Sequence, residues 1–241
     1  MRDSLYSKPV ESIQGFTFDE KVAAVFPDMI KRSVPGYATV IAMTGVLAGQ
    51  YAQPESKCYD LGCSLGESSF AMADATSNIT CSIIAIDNSQ QMLDECQKRL
   101  RVIGALEKVE LLCADIQDVD FDTASVAVMN YTLQFIDISE REALMKRLFD
   151  ALLPGGVLLL SEKIKSKDEH TNQRLIDMHH NFKKANGYSD LEISQKRTAL
   201  ENVLLPETIE DHKQRLSKAG FENIDIWFQC FNFMSLIAYR P

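Results

Sequence analysis

Short apolar runs in this chain end, one after another, in residues that suit a nucleoside. The run 57–60 opens into Asp60-Leu61-Gly62-Cys63-Ser64-Leu65-Gly66-Glu67-Ser68, and the run 82–86 ends at Asp87-Asn88-Ser89. The run 109–113 leads to Ala114-Asp115-Ile116, and the run 125–130 ends at Asn130, followed by Tyr131-Thr132-Leu133-Gln134-Phe135. A glycine-bearing turn between a strand and a helix lets a ligand approach the backbone closely, beside the positive helix N-terminus. Asp87, about 25 residues past that turn, is placed to accept hydrogen bonds from two ribose hydroxyls at once. The same residues also read as a helix cap, through Asp87 or Ser89, and the pattern leaves both roles open. Asp115 suits the exocyclic amine of an adenine, with Ile116 packed on the ring; the alternative is a solvated loop aspartate. The glycines are spaced Gly62-x-x-x-Gly66 rather than GxGxxG, which argues against a nicotinamide dinucleotide.

The elements that must hold these turns follow from the hydrophobic pattern. The runs 57–60, 82–86, 109–113, 125–130 and 156–161 are nearly continuous in apolar residues, as expected of parallel strands buried on both faces. Helices fill the intervals. Ser139 and Glu142 have capping-box spacing ahead of a stripe of Leu144, Met145, Leu148, Phe149 and Leu152, which Pro154-Gly155-Gly156 stops. Met92, Leu93, Cys96, Leu100 and Ile103 form a second stripe ending at Gly104. Two helices are expected within 18–52, and a polar helical stretch after residue 163 reads as a cap over the sheet edge. A helix at about 207–219 and strands at 223–228 and 231–239, joined by Gln229-Cys230, close the chain as an antiparallel hairpin. The expectation is one α/β domain: a mostly parallel seven-stranded sheet with helices on both faces. Its core comprises 55–162 and 206–240, with N-terminal helices in 1–54 and the helical cap insert in 163–205.

Composition sets the bounds. The chain has 241 residues, 46% hydrophobic and 24% charged, enough for one large globular domain. Its formal net charge of −9 gives no footprint for nucleic acid or an anionic membrane. No apolar run approaches the ~20 residues that span a bilayer, and the first residues lack the apolar segment of a signal peptide, so a cytoplasmic protein is expected. The six cysteines stand singly without a CxxC pair, which favours buried reduced thiols over disulfides or a zinc site. No metal is expected.

The four turns in register resemble the class I S-adenosylmethionine (SAM)-dependent methyltransferase superfamily over roughly 55–162 and 206–240. One departure stands out: Ser64 occupies the middle glycine of the superfamily's DxGxGxG. The flanking Phe18-Asp19-Glu20-Lys21-Val22-Ala23, Asp28–Tyr37 with its Pro35-Gly36-Tyr37, Gln195-Lys196-Arg197 with Leu200-Glu201-Asn202-Val203, and Trp227–Phe233 are similar to the carboxy-S-adenosylmethionine synthase family, over almost the whole chain. That resemblance implies an enzyme that binds SAM without transferring its methyl group. It would take the carboxyl carbon of prephenate, release phenylpyruvate and water, and attach the carbon to the SAM methyl. It further implies a cofactor pocket of Tyr37, Gly62, Cys63, Ser64, Asp87, Asn88, Asp115, Ile116, Asn130 and Arg197. Arg197 is expected to be the catalytic residue that senses the added carboxylate, because its two parallel N–H donors match a carboxylate and it lies in the cap, outside the adenosyl-binding turns. A homodimer is implied, with the cap insert at the interface. So is a functional link to a separate tRNA carboxymethyltransferase acting on wobble uridine, without direct tRNA binding or membrane association by this chain.

The chemistry is compatible with the residues. A sulfonium acidifies its methyl protons, and the resulting ylide attacks CO2 where water is excluded. Decarboxylation of prephenate supplies that CO2 in place and aromatises the ring, so no protein base is demanded if the departing hydroxyl takes the proton. Arg197 reads equally as part of a solvated basic run, and Tyr37 as an ordinary core aromatic. His179 and His180 read as surface or helix-capping residues, and Lys163 and Lys165 as further cations for two carboxylates. The sheet motifs alone also fit an ordinary SAM methyltransferase acting on tRNA or a small molecule, or a non-catalytic SAM-binding subunit.

Overall fold

The computed structural model describes residues 1–10, 12, 13 and 15–241. The apolar runs form β1 (Lys57–Leu61), β2 (Ser82–Asp87), β3 (Val109–Cys113), β4 (Ala124–Asn130) and β5 (Leu152–Lys163), followed by β6 (Glu222–Cys230) and β7 (Phe233–Tyr239). They make one sheet in the order β3-β2-β1-β4-β5-β7-β6. The first five pair in parallel, whereas β7 runs antiparallel to both β5 and β6. The chain moves outward from β1 to β3 and then returns to β4 on the other side of β1. This reversal opens a crevice at the carboxyl ends of β1 and β4.

Side chains alternate across the sheet with period two. Cys58, Ile83, Ala85, Val126, Val128, Val157 and Leu159 pack toward α2 (Tyr37–Tyr51), α3 (Glu67–Ala75) and α4 (Gln90–Ile103). Tyr59, Leu61, Ile84, Ile86, Ala127, Met129, Leu158 and Leu160 pack toward α5 (Arg141–Ala151) and α8 (Ile209–Ala219). Burial on both faces explains the uninterrupted apolar runs. The helix α1 (Glu20–Ser33) and the cap helices α6 (Glu169–Ala185) and α7 (Asp190–Leu200) lie at the carboxyl edge.

Several local expectations are corrected. The capping box at Ser139–Glu142 does not form. Asp137 Oδ1 accepts from Ser139 N at 2.8 Å and Ser139 Oγ at 2.6 Å, and α5 begins at Arg141 without a side-chain cap. Pairing of β5 starts at Leu152, opposite Ala124, so Pro154-Gly155-Gly156 bulges out of the ladder rather than preceding the strand. The β6–β7 turn is Phe231-Asn232, not Gln229-Cys230, because Cys230 pairs with Phe233. All six cysteines are free, but only Cys58, Cys63 and Cys96 are buried. Cys113 is exposed because β3 is an edge strand.

The cap is tied down at both ends. Where it leaves and rejoins the sheet, Lys165 N donates to Glu207 O at 3.0 Å and Leu205 N to Gln134 O at 2.8 Å. The fully buried Arg141 completes this junction: it donates to Ile136 O at 2.8 Å and Leu205 O at 3.0 Å, and pairs with Glu207, which Arg215 also contacts. On the other side, a strap made of the first ten residues crosses the cap. Gln195 Nε2 donates to Tyr6 O and Lys8 O, each at 2.9 Å, and Gln195 Oε1 accepts from Val10 N at 2.8 Å. Buried Asp3 accepts from Tyr188 Oη and forms an ion pair with Lys196 at 3.8 Å. Arg141→Met keeps the apolar stem but leaves these carbonyls unpaired and Glu207 with one cation. It is expected to cost about 3–5 kcal/mol of stability in denaturant titration.

Candidate functional site

The carboxyl edge of the sheet, α1, the start of α2, α6 and α7 enclose a cavity of about 640 Å³, and all ten candidate residues line it. It runs from Asp115 after β3 to Lys163 at the end of β5. Four strand spacings separate those strands, about 19 Å, which is room for an extended ligand rather than a single ring.

The turn after β1 is shaped for close approach. Gly62 has φ +77, and a Cβ there would collide with Thr132. Gly62 N and Cys63 N donate to Ile86 O at 2.8 and 2.9 Å, which ties the turn to β2. Ser64, at the superfamily's glycine position, adopts the left-handed conformation at φ +52. Its backbone N donates to Asp87 Oδ2 at 2.9 Å and its hydroxyl to Met92 Sδ at 3.6 Å, which stabilises a conformation that L side chains avoid.

Asp87 thus fixes the turn as well as lining the cavity. Its other oxygen accepts from Ser89 N at 2.9 Å, while Ser89 Oγ caps α4 by accepting from Met92 N. The capping role falls to Ser89, and Asp87 uses only two of the about four acceptor positions of a carboxylate. Burial raises the Asp87 pKa, and the two backbone bonds oppose the shift. Asn88 is exposed at the rim. Asp60 points away from the cavity: Ser69 Oγ donates to it at 2.6 Å, and burial raises its pKa to about 7.

Beyond β3, Asp115 Oδ1 accepts from Gln117 N at 2.9 Å, and Ile116 is buried. Phe18 and Phe135, edge to face at 5.4 Å, line the cavity with them and complete an apolar slot with a polar end. Past β4, Asn130 Nδ2 donates to Ser68 Oγ at 3.0 Å and Thr44 Oγ1 at 3.2 Å. Its Oδ1 is buried without a partner among the described residues, an acceptor waiting for a donor.

The end near β5 is aromatic and cationic. Tyr131 packs against Tyr37 and Phe233, with both ring centroids at 6.1 Å, so Tyr37 is a wall residue rather than a plain core aromatic. Lys163, Lys183 and Arg197 face the cavity, and none has an ion-pair partner among the described residues. Burial, then repulsion from Lys163, Lys196 and Arg197, lowers the Lys183 pKa to about 7. Lys163 is lowered by burial and by Arg197. Lys165 stays outside the cavity lining.

His179 corrects the surface reading. It is 6% exposed, its Nε2 lies 2.7 Å from Ser33 O, and its ring stands edge-on to Phe233 at 4.9 Å. Burial and neighbouring lysines lower its pKa to about 3, so the ring is neutral and Nε2 donates. His180 is half-buried in the wall. Sequence reasoning also missed Lys183, Tyr131 and Phe233. A signal was present for the helix: Ile176, His179, His180 and Lys183 recur at i, i+3, i+4 and i+7, and all four line the cavity.

SAM fits these residues. The acidic Asp87 matches the ribose hydroxyls of an adenosyl group, and the unpartnered Asn130 acceptor matches the ammonium of a methionine portion. Among the described residues, no group of three or more His, Cys, Asp or Glu is positioned to hold a metal ion. Among the described residues no helix is long and apolar enough to cross a membrane.

A family model described as a methyltransferase domain matches residues 59–156. The carboxy-S-adenosyl-L-methionine synthases of Aliivibrio fischeri and Trichlorobacter lovleyi are 50% and 54% identical to this chain, each over 99% of it and 98% of the relative. Among solved structures, an O-methyltransferase family protein from Burkholderia thailandensis gives a TM-score of 0.65 at 16% identity, covering 93% of this chain and 61% of that one. An O-methyltransferase family 2 protein from Planctomyces limnophilus gives 0.64 at 17%, covering 93% and 62%. At such identities the structural likeness speaks for the fold alone.

Asp87→Ala is expected to lower SAM affinity by about 2–4 kcal/mol, roughly 30- to 1000-fold, in calorimetry. Because Asp87 also holds Ser64 and Ser89, the same variant should lose about 1–2 kcal/mol of stability in thermal or denaturant unfolding.

Proposed function

The chain belongs to the carboxy-S-adenosyl-L-methionine synthase family, and from that membership we propose its full reaction: SAM and prephenate give carboxy-SAM, phenylpyruvate and water. SAM is consumed and is therefore a substrate. It supplies a methyl carbon acidified by the adjoining sulfonium.

The observation that carries the choice of second substrate is the group Lys163, Lys183 and Arg197. Three cations are held together against mutual repulsion, with no ion-pair partner among the described residues. Lys183 is buried and Lys163 half-buried, with the exposed Arg197 beside them, and keeping the two lysines charged there is costly unless an anion neutralises them. Transfer of a methyl group to a neutral acceptor needs no such receptor, whereas a dicarboxylate does. Tyr37, Tyr131 and Phe233 beside the cations offer apolar faces to a six-membered ring. An anion bound there raises the Lys183 pKa again and restores its charge.

In this reading Asp87, Asp115, Ile116 and the Gly62–Ser64 turn hold the adenosyl end, with Asn88 at its rim. Asn130 and Tyr37 flank the methionine portion, and Arg197 recognises the carboxylate that distinguishes product from SAM. The aromatic wall excludes water from the point where carbon dioxide passes from one substrate to the other. Proximity and fixed charge do the rest. Carboxy-SAM then serves a separate tRNA carboxymethyltransferase that modifies wobble uridine. A cytoplasmic homodimer that binds neither membrane nor tRNA completes the proposal, supported for tRNA by the net charge of −9.

The deciding experiment incubates the purified protein with SAM and prephenate and follows SAM by mass spectrometry. A species heavier by roughly 44 mass units, the mass of CO2, is expected alongside phenylpyruvate; methylated product with S-adenosylhomocysteine would defeat the proposal. Arg197→Ala should lower carboxy-SAM affinity by about 2–4 kcal/mol while SAM affinity changes little, because the guanidinium fork matches the added carboxylate. Arg197→Lys should recover only part of it. Equal weakening of both ligands in calorimetry would move the specificity determinant elsewhere.

A further inference from the structure

The proposed reaction removes one carboxylate from its second substrate and leaves the other in place. Before transfer both anions sit on one molecule; afterwards one is on SAM and one stays with the aromatic product. We propose that Lys183, together with Lys163, is the specificity-determining receptor for the carboxylate that stays, the 2-oxo acid arm of the ring substrate. The inference rests on the reaction proposed above and deepens it.

The chemistry asks for two separate receptors. A carboxylate that leaves as CO2 must pass its charge into the ring. An ammonium gripping it would stabilise the bound substrate more than the transition state, and so slow the reaction. The carboxylate on the side arm keeps its charge throughout, so a cation can hold it without slowing the chemical step. Arg197 serves the carboxylate newly joined to SAM, which leaves the other anion to a different group.

The cavity holds two further ammonium groups for it. Lys183 is 8% exposed and lines the cavity, and its Nζ makes no hydrogen bond or ion pair among the described residues. Packing does not close it off: the buried polar atoms without a partner include Asn130 Oδ1 and Tyr131 Oη, but neither Lys183 Nζ nor Lys163 Nζ. Both ammonium groups therefore open on the cavity. The charges acting on Lys183 are those of Lys163, Lys196 and Arg197, all positive. Other basic groups nearby are engaged or uncharged. Lys196 pairs with Asp3 at 3.8 Å and donates to Ser33 Oγ at 3.3 Å. Burial, then Lys183, Arg197 and Lys163, push His180 toward its neutral form, and His179 donates to Ser33 O.

A site for the ring adjoins both lysines. Lys163 stands opposite Phe233 in the β5–β7 pairing, so the two side chains share one face of the sheet. Phe233 in turn meets His179 edge to face at 4.9 Å, and His179 lies one turn before Lys183 on the cavity face of α6. One aromatic side chain thus neighbours both lysines. A six-membered ring against Phe233, with a carboxylate on a short arm, matches that arrangement. Because β5 belongs to the sheet and α6 to the cap, an anion held there also joins those two parts.

Lys183→Met keeps the apolar stem and removes the charge. Its ammonium is buried without a partner, so the full-length variant should unfold at the same or a higher temperature. The loss should fall on KM for prephenate, rising by roughly 10- to 100-fold, the worth of one charge-assisted bond. The kcat at saturating prephenate should fall by less than about threefold, and SAM affinity in calorimetry should stay within about twofold. Inhibition by phenylpyruvate should weaken by the same factor as KM. Phenylacetone, with a methyl group in place of the carboxylate, should inhibit wild type no better than it inhibits Lys183→Met. Lys183→Arg should recover part of the affinity. A KM within threefold of wild type in Lys183→Met overturns the assignment. So does a fall in kcat without a rise in KM, which puts Lys183 at the carboxylate that leaves, and so does a parallel loss of SAM affinity, which puts it in the SAM site. If wild type forms no carboxy-SAM from SAM and prephenate, the reaction itself falls and the assignment with it. If wild type turns over and Lys183→Met keeps the wild-type KM, the assignment alone falls.

Discussion

Much of the cavity wall lies outside the sheet's hydrogen-bond ladder, and carboxylates tie it in place. Asp87 binds the glycine turn to the start of α4. Glu162 receives two consecutive amides of the turn after β4. Glu207, clamped by Arg141 and Arg215, holds the place where the cap rejoins the sheet. Asp3, bonded to Tyr188 and paired with Lys196, holds the strap. A carboxylate can accept from several backbone amides at once, and its charge strengthens each bond. Loops too short or too irregular to form helix or strand gain in this way the rigidity that a substrate site requires.

This arrangement stabilises the site at a measurable electrostatic cost. Burial drives the Glu162 pKa to about 8, the Arg141 charge and three backbone amides pulling the other way, and Asp60 to about 7. The cations across the cavity are disfavoured by the same burial. With Ser64 and Tyr131 both in left-handed backbone, strain and unfavourable charge gather at one edge of a sheet whose two faces are otherwise close-packed. Function draws on free energy that the two apolar faces supply.

The fold was legible because it is written in local patterns. Val126 to Met129 alternates between faces yet stays apolar, as expected of a doubly covered strand, and Gly104 ends α4 where the stripe ends. The half of the cavity beside β1 to β3 was legible for a related reason: Gly62 follows β1, Asp87 ends β2 and Asp115 stands two residues past β3, so a sequence reading of strand ends is a reading of that wall. The other half was not, because it is assembled from α6, α7 and the turn after β4. Nothing near Lys183 in the sequence tells that Lys163 and Arg197 will face it, and Tyr131 has an aromatic's ordinary appearance until its φ is known. The capping box that does not form and the misplaced hairpin turn have local causes that residue spacing does not encode: Asp137 engages Ser139, and the β6–β7 pairing extends to Cys230 and Phe233.

The strap has a consequence for how the molecule exchanges its ligands. Phe16 and Phe18, just beyond it, form part of the cavity wall, and Phe16 N bonds to Ala199 O at 2.9 Å. The wall therefore consists of three parts in series: the sheet edge, the cap tied to it beside Glu207, and the N-terminal segment tied to the cap through Gln195, Tyr188, Lys196 and Ala199. A molecule seated between them favours the closed arrangement of all three by mass action. Release requires only that the least anchored part separate, which leaves the sheet and its packed faces untouched. Parting the strap from the cap breaks the Gln195 and Asp3 contacts and no strand pairing, so opening there and unfolding of the sheet are separable events.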